Sequence, residues 1–293
     1  MKIVRITLLV IFLSMISVLG ILFILAGGYA YLLAHVGCIG THDSLDLRGY
    51  KSEPVEFTTD KGYSIRGWFT RGSRLPEVVI IVLPGMSGDT QLALADSEVL
   101  ANAGYSTLIY EHRSCSDPRL LHSGGYLEAK DLLSAVEFLE SRGDVRQIGV
   151  LGFSTGGTAA LLAAAETPRI EAVIAEGAPA TFLQDAQFKL GTTNLIDEAL
   201  HSLVLTLYRL QVGLSSDILE PEEAIGIISP RPVFLIYGEY EAAKGEALYA
   251  QANHPKKLWI VPGVGHGGYQ AAHPQVYASQ IINFFDSHFN TMP

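Results

Sequence analysis

The sequence predicts an α/β protein: a mostly parallel central sheet flanked by helices, with one long apolar helix set before it. Three observations predict this class. Short, solid apolar runs such as E-V-V-I-I-V-L at 77–83 read as strands buried on both faces. Such runs alternate with stretches whose apolar residues recur at helical spacing, which implies parallel strands joined by right-handed crossovers. The segment from Ile6 to Leu33 holds 28 positions without a charge, where about 20 span a bilayer as a helix.

Residues 1–37 are expected to be a retained signal anchor, a transmembrane helix. A cleaved secretory signal is the alternative, but its apolar core is shorter, about 7–15 residues. Lys2 and Arg5 are the nearest positive charges. They place the N-terminus in the cytoplasm and the remaining chain on the outer face. Residues 38–54 read as a polar linker, and residues 55–293 as one large domain. Its first element is a β-hairpin at 55–70, two alternating runs around Asp60-Lys61-Gly62. Strands follow at 77–83, 106–110, 148–153, 170–175, 233–237 and 257–261. The first helix, 89–103, takes Asp89 as its N-cap. The helix at 126–141 carries Leu127, Leu132, Leu133, Val136 and Leu139 on one face and ends at Gly143. Ala/Leu-rich sequence at 155–165 and a last run at 275–288 complete the helices.

Residues 178–225 break the alternation. They are helical in pattern, poor in strand signals and too long for an ordinary connection. A small helical insertion is expected there. Its Phe182, Phe188, Leu203, Leu205 and Leu207 either line an acyl pocket or pack among themselves.

Composition excludes several roles. The net charge is −10 and no basic cluster appears. Nucleic acid is therefore not an expected partner, and neither is polybasic docking on anionic lipid. Two cysteines, Cys38 and Cys115, are too few for a disulfide scaffold and are expected to be unpaired thiols. No H-E-x-x-H string or Cys/His cluster suggests a metal, and no G-x-G-x-x-G after a strand suggests a dinucleotide. No cofactor and no metal are expected.

Chemistry concentrates in V-L-G-F-S-T-G-G, residues 150–157. Ser154 follows a strand and precedes a helix, the setting in which a sharp turn presents a serine hydroxyl as a nucleophile. A serine hydroxyl needs a base, and the base an orienting acid. His266, on the Gly-rich loop P-G-V-G-H-G-G-Y after the strand K-L-W-I-V, is the candidate base. The strand-ending sequence Y-G-E-Y-E offers Glu239 and Glu241 as acids. The order serine, acid, histidine differs from that of chymotrypsin and subtilisin.

With these motifs in order, the chain resembles an α/β-hydrolase over residues 50–290. P-G-M-S-G after the strand at 77–83 is similar to the oxyanion-hole loop. I-Y-E-H-R-S-C-S-D at 109–117 is similar to the D-x-R-G-x-G-x-S stretch. The resemblance implies a serine hydrolase of the esterase or lipase kind, membrane-anchored, with a Ser154–Glu241–His266 triad. Glu241 is favoured over Glu239 because relatives carry the acid three positions after the strand-ending glycine. Backbone N–H groups of Met86 and Thr155 would hold the oxyanion. The substrate would be a small-molecule or lipid ester, opened through an acyl-enzyme. The sequence departs from the pattern in P-G-M where H-G is frequent, in Glu111 and Ser114 where Asp and Gly are common, and in a Glu acid where Asp is usual. A peptidase or amidase, or a non-catalytic binding protein, are the competing expectations on the same scaffold.

Overall fold

A computed structural model describes residues 2–36, 49–86, 90–182, 194–215 and 217–289. The chain divides into two compact units, one of residues 1–35 with 183–218, the other of residues 36–182 with 219–293.

The larger unit holds an eight-stranded sheet ordered β1-β2-β4-β3-β5-β6-β7-β8. Strands β1 (Ser52–Thr58) and β2 (Ser64–Thr70) form the expected antiparallel hairpin, with Thr58 opposite Ser64. β1 starts inside the expected linker, because Ser52, Glu53 and Pro54 pair with Thr70, Phe69 and Trp68. β3 (Leu75–Leu83), β4 (Tyr105–Tyr110), β5 (Gln147–Phe153), β6 (Ile170–Glu176), β7 (Val233–Gly238) and β8 (Lys256–Val261) run parallel to one another. Only β2 against β4 reverses direction at the join. The central strands are buried along nearly their whole length, as their unbroken apolar sequences require.

Helices pack against this sheet. The smaller unit begins the chain with α1 (Lys2–Ala34). In the larger unit follow α2 (Thr90–Asn102), the short α3 (Arg113–Ser116), α4 (Tyr126–Ser141) and α5 (Thr155–Glu166). The insertion supplies α6 (Asn194–Val212), which belongs with α1, and then α7 (Pro221–Ile227), which belongs with the sheet. α8 (Ala242–Gln251), α9 (Tyr269–Ala272) and α10 (Pro274–Phe289) complete the chain. α8 had no counterpart among the expected helices; its sequence A-A-K-G-E-A-L-Y-A-Q buries only Gly245 and Leu248, too few apolar positions to show a period. The expected N-cap Asp89 lies outside the described residues. Gly143 ends α4 as expected, in the left-handed conformation at φ +73°.

In the smaller unit, α1 has a mean hydropathy of 3.0 over its most apolar 18-residue window and is long enough to cross a membrane. Cys115, in α3, is disulfide-bonded. This corrects the expectation of two unpaired thiols; the other cysteine, Cys38, lies outside the described residues. Nothing local in the sequence around Cys115 signals that it is bonded.

Of the insertion's apolar residues, Phe182 is buried and packs edge-on against Tyr126, with ring centroids 5.4 Å apart. Leu205 is buried, Leu203 and Leu207 are half-buried, and Phe188 lies outside the described residues.

Candidate active site

The site is assembled at the C-terminal ends of β5, β7 and β8. β5 is buried and stiff, and the chain must reverse within one residue to enter α5. Ser154 makes that turn at φ 54°, ψ −118°, and among the described residues it is the only non-glycine with positive φ. Such a conformation costs about 1–3 kcal/mol and persists only where neighbours enforce it. The enforcement is visible. The Ser154 N–H donates to the Glu176 carbonyl at 2.7 Å, and the Ser154 carbonyl accepts from Thr158 N at 3.1 Å. A Cβ on Gly152 would sit 2.3 Å from the Gly156 carbonyl oxygen, and one on Gly156 would sit 2.5 Å from that of Pro84. Only glycines allow the strand, the helix and the loop after β3 to meet there.

Ser154 Oγ lies 2.9 Å from His266 Nε2, and His266 Nδ1 lies 3.1 Å from Glu241 Oε2 and 3.3 Å from Oε1. An ionised carboxylate only accepts, so Nδ1 carries the proton and Nε2 is left to accept from the serine hydroxyl. Glu241 is placed by a single 3-10 turn, Glu239–Glu241, directly after β7. Its side chain is 8% exposed, against 47% for the imidazole. Burial pushes the Glu241 carboxyl up, but hydrogen bonds from His266 and Tyr269 outweigh it and hold the group below its ordinary value. Glu239 points elsewhere: its Oε2 accepts from the Gly263 N–H at 2.8 Å. Pro84, Gly85 and Met86 form the turn after β3. A Cβ on Gly85 would lie 3.2 Å from Ser154 Cβ, so this loop runs beside the serine. Met86 is half-buried, and Thr155 opens α5, where the backbone N–H groups have no helical partner.

Five further residues at the site escaped the sequence reading. Tyr269 donates its hydroxyl to Glu241 Oε1 at 2.8 Å; its position three after His266 in the same Gly-rich loop is the only signal that could have found it. Gly177, at φ +56°, leaves room for the imidazole, since a Cβ there would lie 2.9 Å from His266 Cε1. Asp96 and Glu176 are buried and share the hydroxyl of Tyr277, each at 2.7 Å. Burial raises both carboxyls above their ordinary values. One phenol proton cannot serve two carboxylates, so at least one of the pair is a neutral acid. A 440 Å³ cavity joins this pair to His266, lined also by Pro84, Phe153 and Tyr269.

A second cluster brings His112, His122 and Glu128 within 4.8 Å of one another. The Glu128 carboxylate already accepts from Ser123 N at 3.0 Å, Gly125 N at 2.9 Å, His112 Nε2 at 3.0 Å and the Ser123 hydroxyl. Through the Gly125 N–H it satisfies a backbone donor at the start of α4. The two imidazoles stack, centroids 4.9 Å apart. These contacts account for the cluster as a structural tie between the turn after β4 and α4.

With this geometry in hand, comparison with known proteins is informative. Residues 133–219 match the family "BAAT / Acyl-CoA thioester hydrolase C terminal". The chain is 32% identical to thiohydrolase apmlB of Arthrinium phaeospermum over 130 residues, 42% of this chain and 42% of that protein. It is 41% identical to the uncharacterized protein PA2218 of Pseudomonas aeruginosa over 63 residues, 21% of this chain and 17% of that protein. The chain thus matches less than half the length of either relative. Among solved structures, the esterase Pf2001 of Pyrococcus furiosus superposes with a TM-score of 0.68 at 19% identity, covering 86% of this chain and 99% of the esterase. The fold is the α/β-hydrolase fold.

Proposed function

We propose that the chain is a serine hydrolase of carboxylic esters or thioesters. The observation that carries the reading is the hydrogen-bonded series Ser154–His266–Glu241 on a strained strand-to-helix turn. The thioester arm draws further support from the matched acyl-CoA thioester hydrolase segment and from the thiohydrolase relative.

In this reading His266 Nε2 takes the proton from Ser154 Oγ as Oγ bonds to the acyl carbon. Glu241 fixes the Nδ1–H tautomer and stabilises the imidazolium. The oxyanion is held by the N–H groups of Met86 and Thr155, each donor contributing about 10²–10³ in rate. The C–O or C–S bond then breaks, and the leaving alcohol or thiol takes the proton from His266. Water gives a proton to His266, attacks the acyl-enzyme and releases the acid, and the imidazolium returns the proton to Ser154. The strain at Ser154 holds Oγ in place before substrate arrives, so no reorganisation is required at the moment of attack.

We also propose that α1 is retained and anchors the domain to a membrane, with the N-terminus cytoplasmic and the hydrolase outside. Lys2 and Arg5 support that orientation. The disulfide at Cys115 fits an oxidising compartment.

The test is hydrolysis of matched oxygen esters and thioesters of increasing chain length by the full chain, with Ser154→Ala alongside and a fluorophosphonate probe on both. Serine-dependent labelling and turnover are expected. Labelling with turnover only of amides would move the chain to the peptidase class. No labelling of a folded protein would leave a binding role.

A further inference from the structure

Glu111, Asp131, Asp96 and Glu176 are all buried, and their partners differ. Arg66 meets both oxygens of Glu111, through Nε at 3.1 Å and Nη2 at 2.9 Å. Arg113 meets both oxygens of Asp131 in the same way, each at 2.8 Å. Such a two-point arginine contact gives a buried carboxylate both a counter-charge and its hydrogen bonds. Asp96, on α2, and Glu176, at the end of β6, have no such partner. Among the described residues they share only the hydroxyl of Tyr277 on α10, which reaches Asp96 Oδ1 and Glu176 Oε1. No described lysine or arginine pairs with either.

The second oxygens, Asp96 Oδ2 and Glu176 Oε2, therefore meet no donor from the described residues, although the two residues are only 8% and 3% exposed. Neither oxygen is sealed inside the protein. Both residues line the 440 Å³ cavity that also reaches His266, with Leu83, Pro84, Ala93 and Phe153 in its wall. Small-molecule pockets hold about 300–1,000 Å³ and are mostly apolar with a few placed polar groups, which describes this one. Buried acceptors that the fold leaves open cost stability unless something else serves them.

The chemistry that serves them is narrow. The phenol donates to one carboxyl and accepts from the other, so the proton of the neutral acid faces Tyr277. With the other carboxyl ionised, both second oxygens are acceptors and a ligand must donate to them. An ammonium group brings three N–H donors and a positive charge; a hydroxyl brings one donor and no charge. Hydrogen bonds with an ionised partner are roughly twice as strong as neutral ones. An ammonium ion would thus supply to this pair what Arg113 supplies to Asp131.

We propose that Asp96 and Glu176 bind a primary ammonium group, so that the esters or thioesters this hydrolase opens carry a protonated amine that seats in the cavity. The proposal rests on Ser154, His266 and Glu241 forming the hydrolytic site. It gives the acid pair a part in substrate choice, apart from the bond-breaking steps.

The experiment uses the full chain in dodecyl maltoside micelles near neutral pH, with p-nitrophenyl butanoate as a neutral substrate. Butylammonium and hexylammonium ions are compared as inhibitors with butanol and hexanol, and Ser154→Ala run alongside subtracts any uncatalysed aminolysis. Inhibition by the ammonium ions is expected to be competitive, with Ki below that of the matched alcohol by about tenfold or more. In Asp96→Asn and Glu176→Gln that ratio should fall toward one, with fluorophosphonate labelling of Ser154 checking that each variant is folded. The comparison within the parent decides the matter if a variant does not fold. Equal Ki values for ammonium and alcohol in the parent, or an ammonium preference that survives both substitutions, overturn the ammonium site alone. Ammonium inhibition that is not competitive places the amine outside the substrate pocket and also overturns it. No turnover of the neutral ester together with no labelling overturns the hydrolase reading, and the proposal with it.

Discussion

Replacing Tyr277 by Phe isolates the buried acid pair beneath the candidate site. The phenol oxygen lies 2.7 Å from both Asp96 Oδ1 and Glu176 Oε1 and carries one proton. It donates to one carboxyl and accepts from the other. Truncation removes one hydrogen bond to a charged acceptor, about 1.5–3 kcal/mol, and one between neutral groups, about 0.5–1.5 kcal/mol. The site is buried, so water does not replace them, and the expected loss near neutral pH is about 2–4 kcal/mol. The loss also has a direction with pH. Burial raises both carboxyls in the folded protein, while the Tyr277 hydroxyl acts to hold them down. A folded state with raised carboxyl pKa values keeps protons that the unfolded chain releases near about 4. Its stability is therefore greatest below the unfolded values and falls as pH rises toward the folded ones. Without the hydroxyl the folded values climb further, and the variant goes on losing stability after the parent has levelled. Urea unfolding of the full chain in detergent micelles, followed by tryptophan fluorescence at mildly acidic and mildly basic pH, reads this out. The gap between variant and parent should widen with rising pH. A gap that narrows, or one below about 0.5 kcal/mol throughout, refutes the shared-proton arrangement.

Other perturbations separate the remaining contacts. Glu241→Gln should lower kcat by about 10²–10⁴ with the fold intact, since the wrong imidazole tautomer is then favoured. Glu239→Gln, whose carboxylate meets only the Gly263 N–H among its described contacts, should change kcat by no more than a few fold; paired kinetics on one ester decide it. Gly156→Ala drives a Cβ to 2.5 Å from the Pro84 carbonyl and 2.8 Å from that of Leu83. Backbone cannot yield as a side chain does, so a loss of at least about 1–3 kcal/mol is expected in thermal melts. Asp131→Asn breaks the buried two-point pair with Arg113, 2.8 Å at both Nε and Nη2, and should cost about 3–5 kcal/mol. An unchanged melting temperature would refute the value placed on that pair.

Much of the fold was legible because its signals are local. A strand buried on both faces must be continuously apolar, a crossover helix must show its period, and a hairpin must turn on residues such as Asp60, Lys61 and Gly62. The strands of the sheet and the flanking helices α4, α5 and α10 were readable on those grounds. α8 was not, because a helix that buries two residues leaves no periodic trace. The disulfide at Cys115 was missed for a different reason: pairing depends on a distance in space for which sequence spacing is no guide.

The sequence by itself determined that Ser154 would stand on a strand-to-helix turn, that His266 would ride a glycine-rich loop after a strand, and that α1 would be free of charge from Ile6 onward. Each follows from residue types within a few positions of one another. Only the tertiary structure decided which glutamate faces the imidazole, because the 3-10 turn after β7 rotates Glu241 toward His266 and Glu239 toward the Gly263 N–H. It alone brought Tyr269 onto Glu241, joined Asp96 and Glu176 through Tyr277, and laid α6 along α1. These are meetings of side chains from separate elements. The register of β6, β7 and β8 and the crossings of the helices set them, and no stretch of sequence encodes them in isolation.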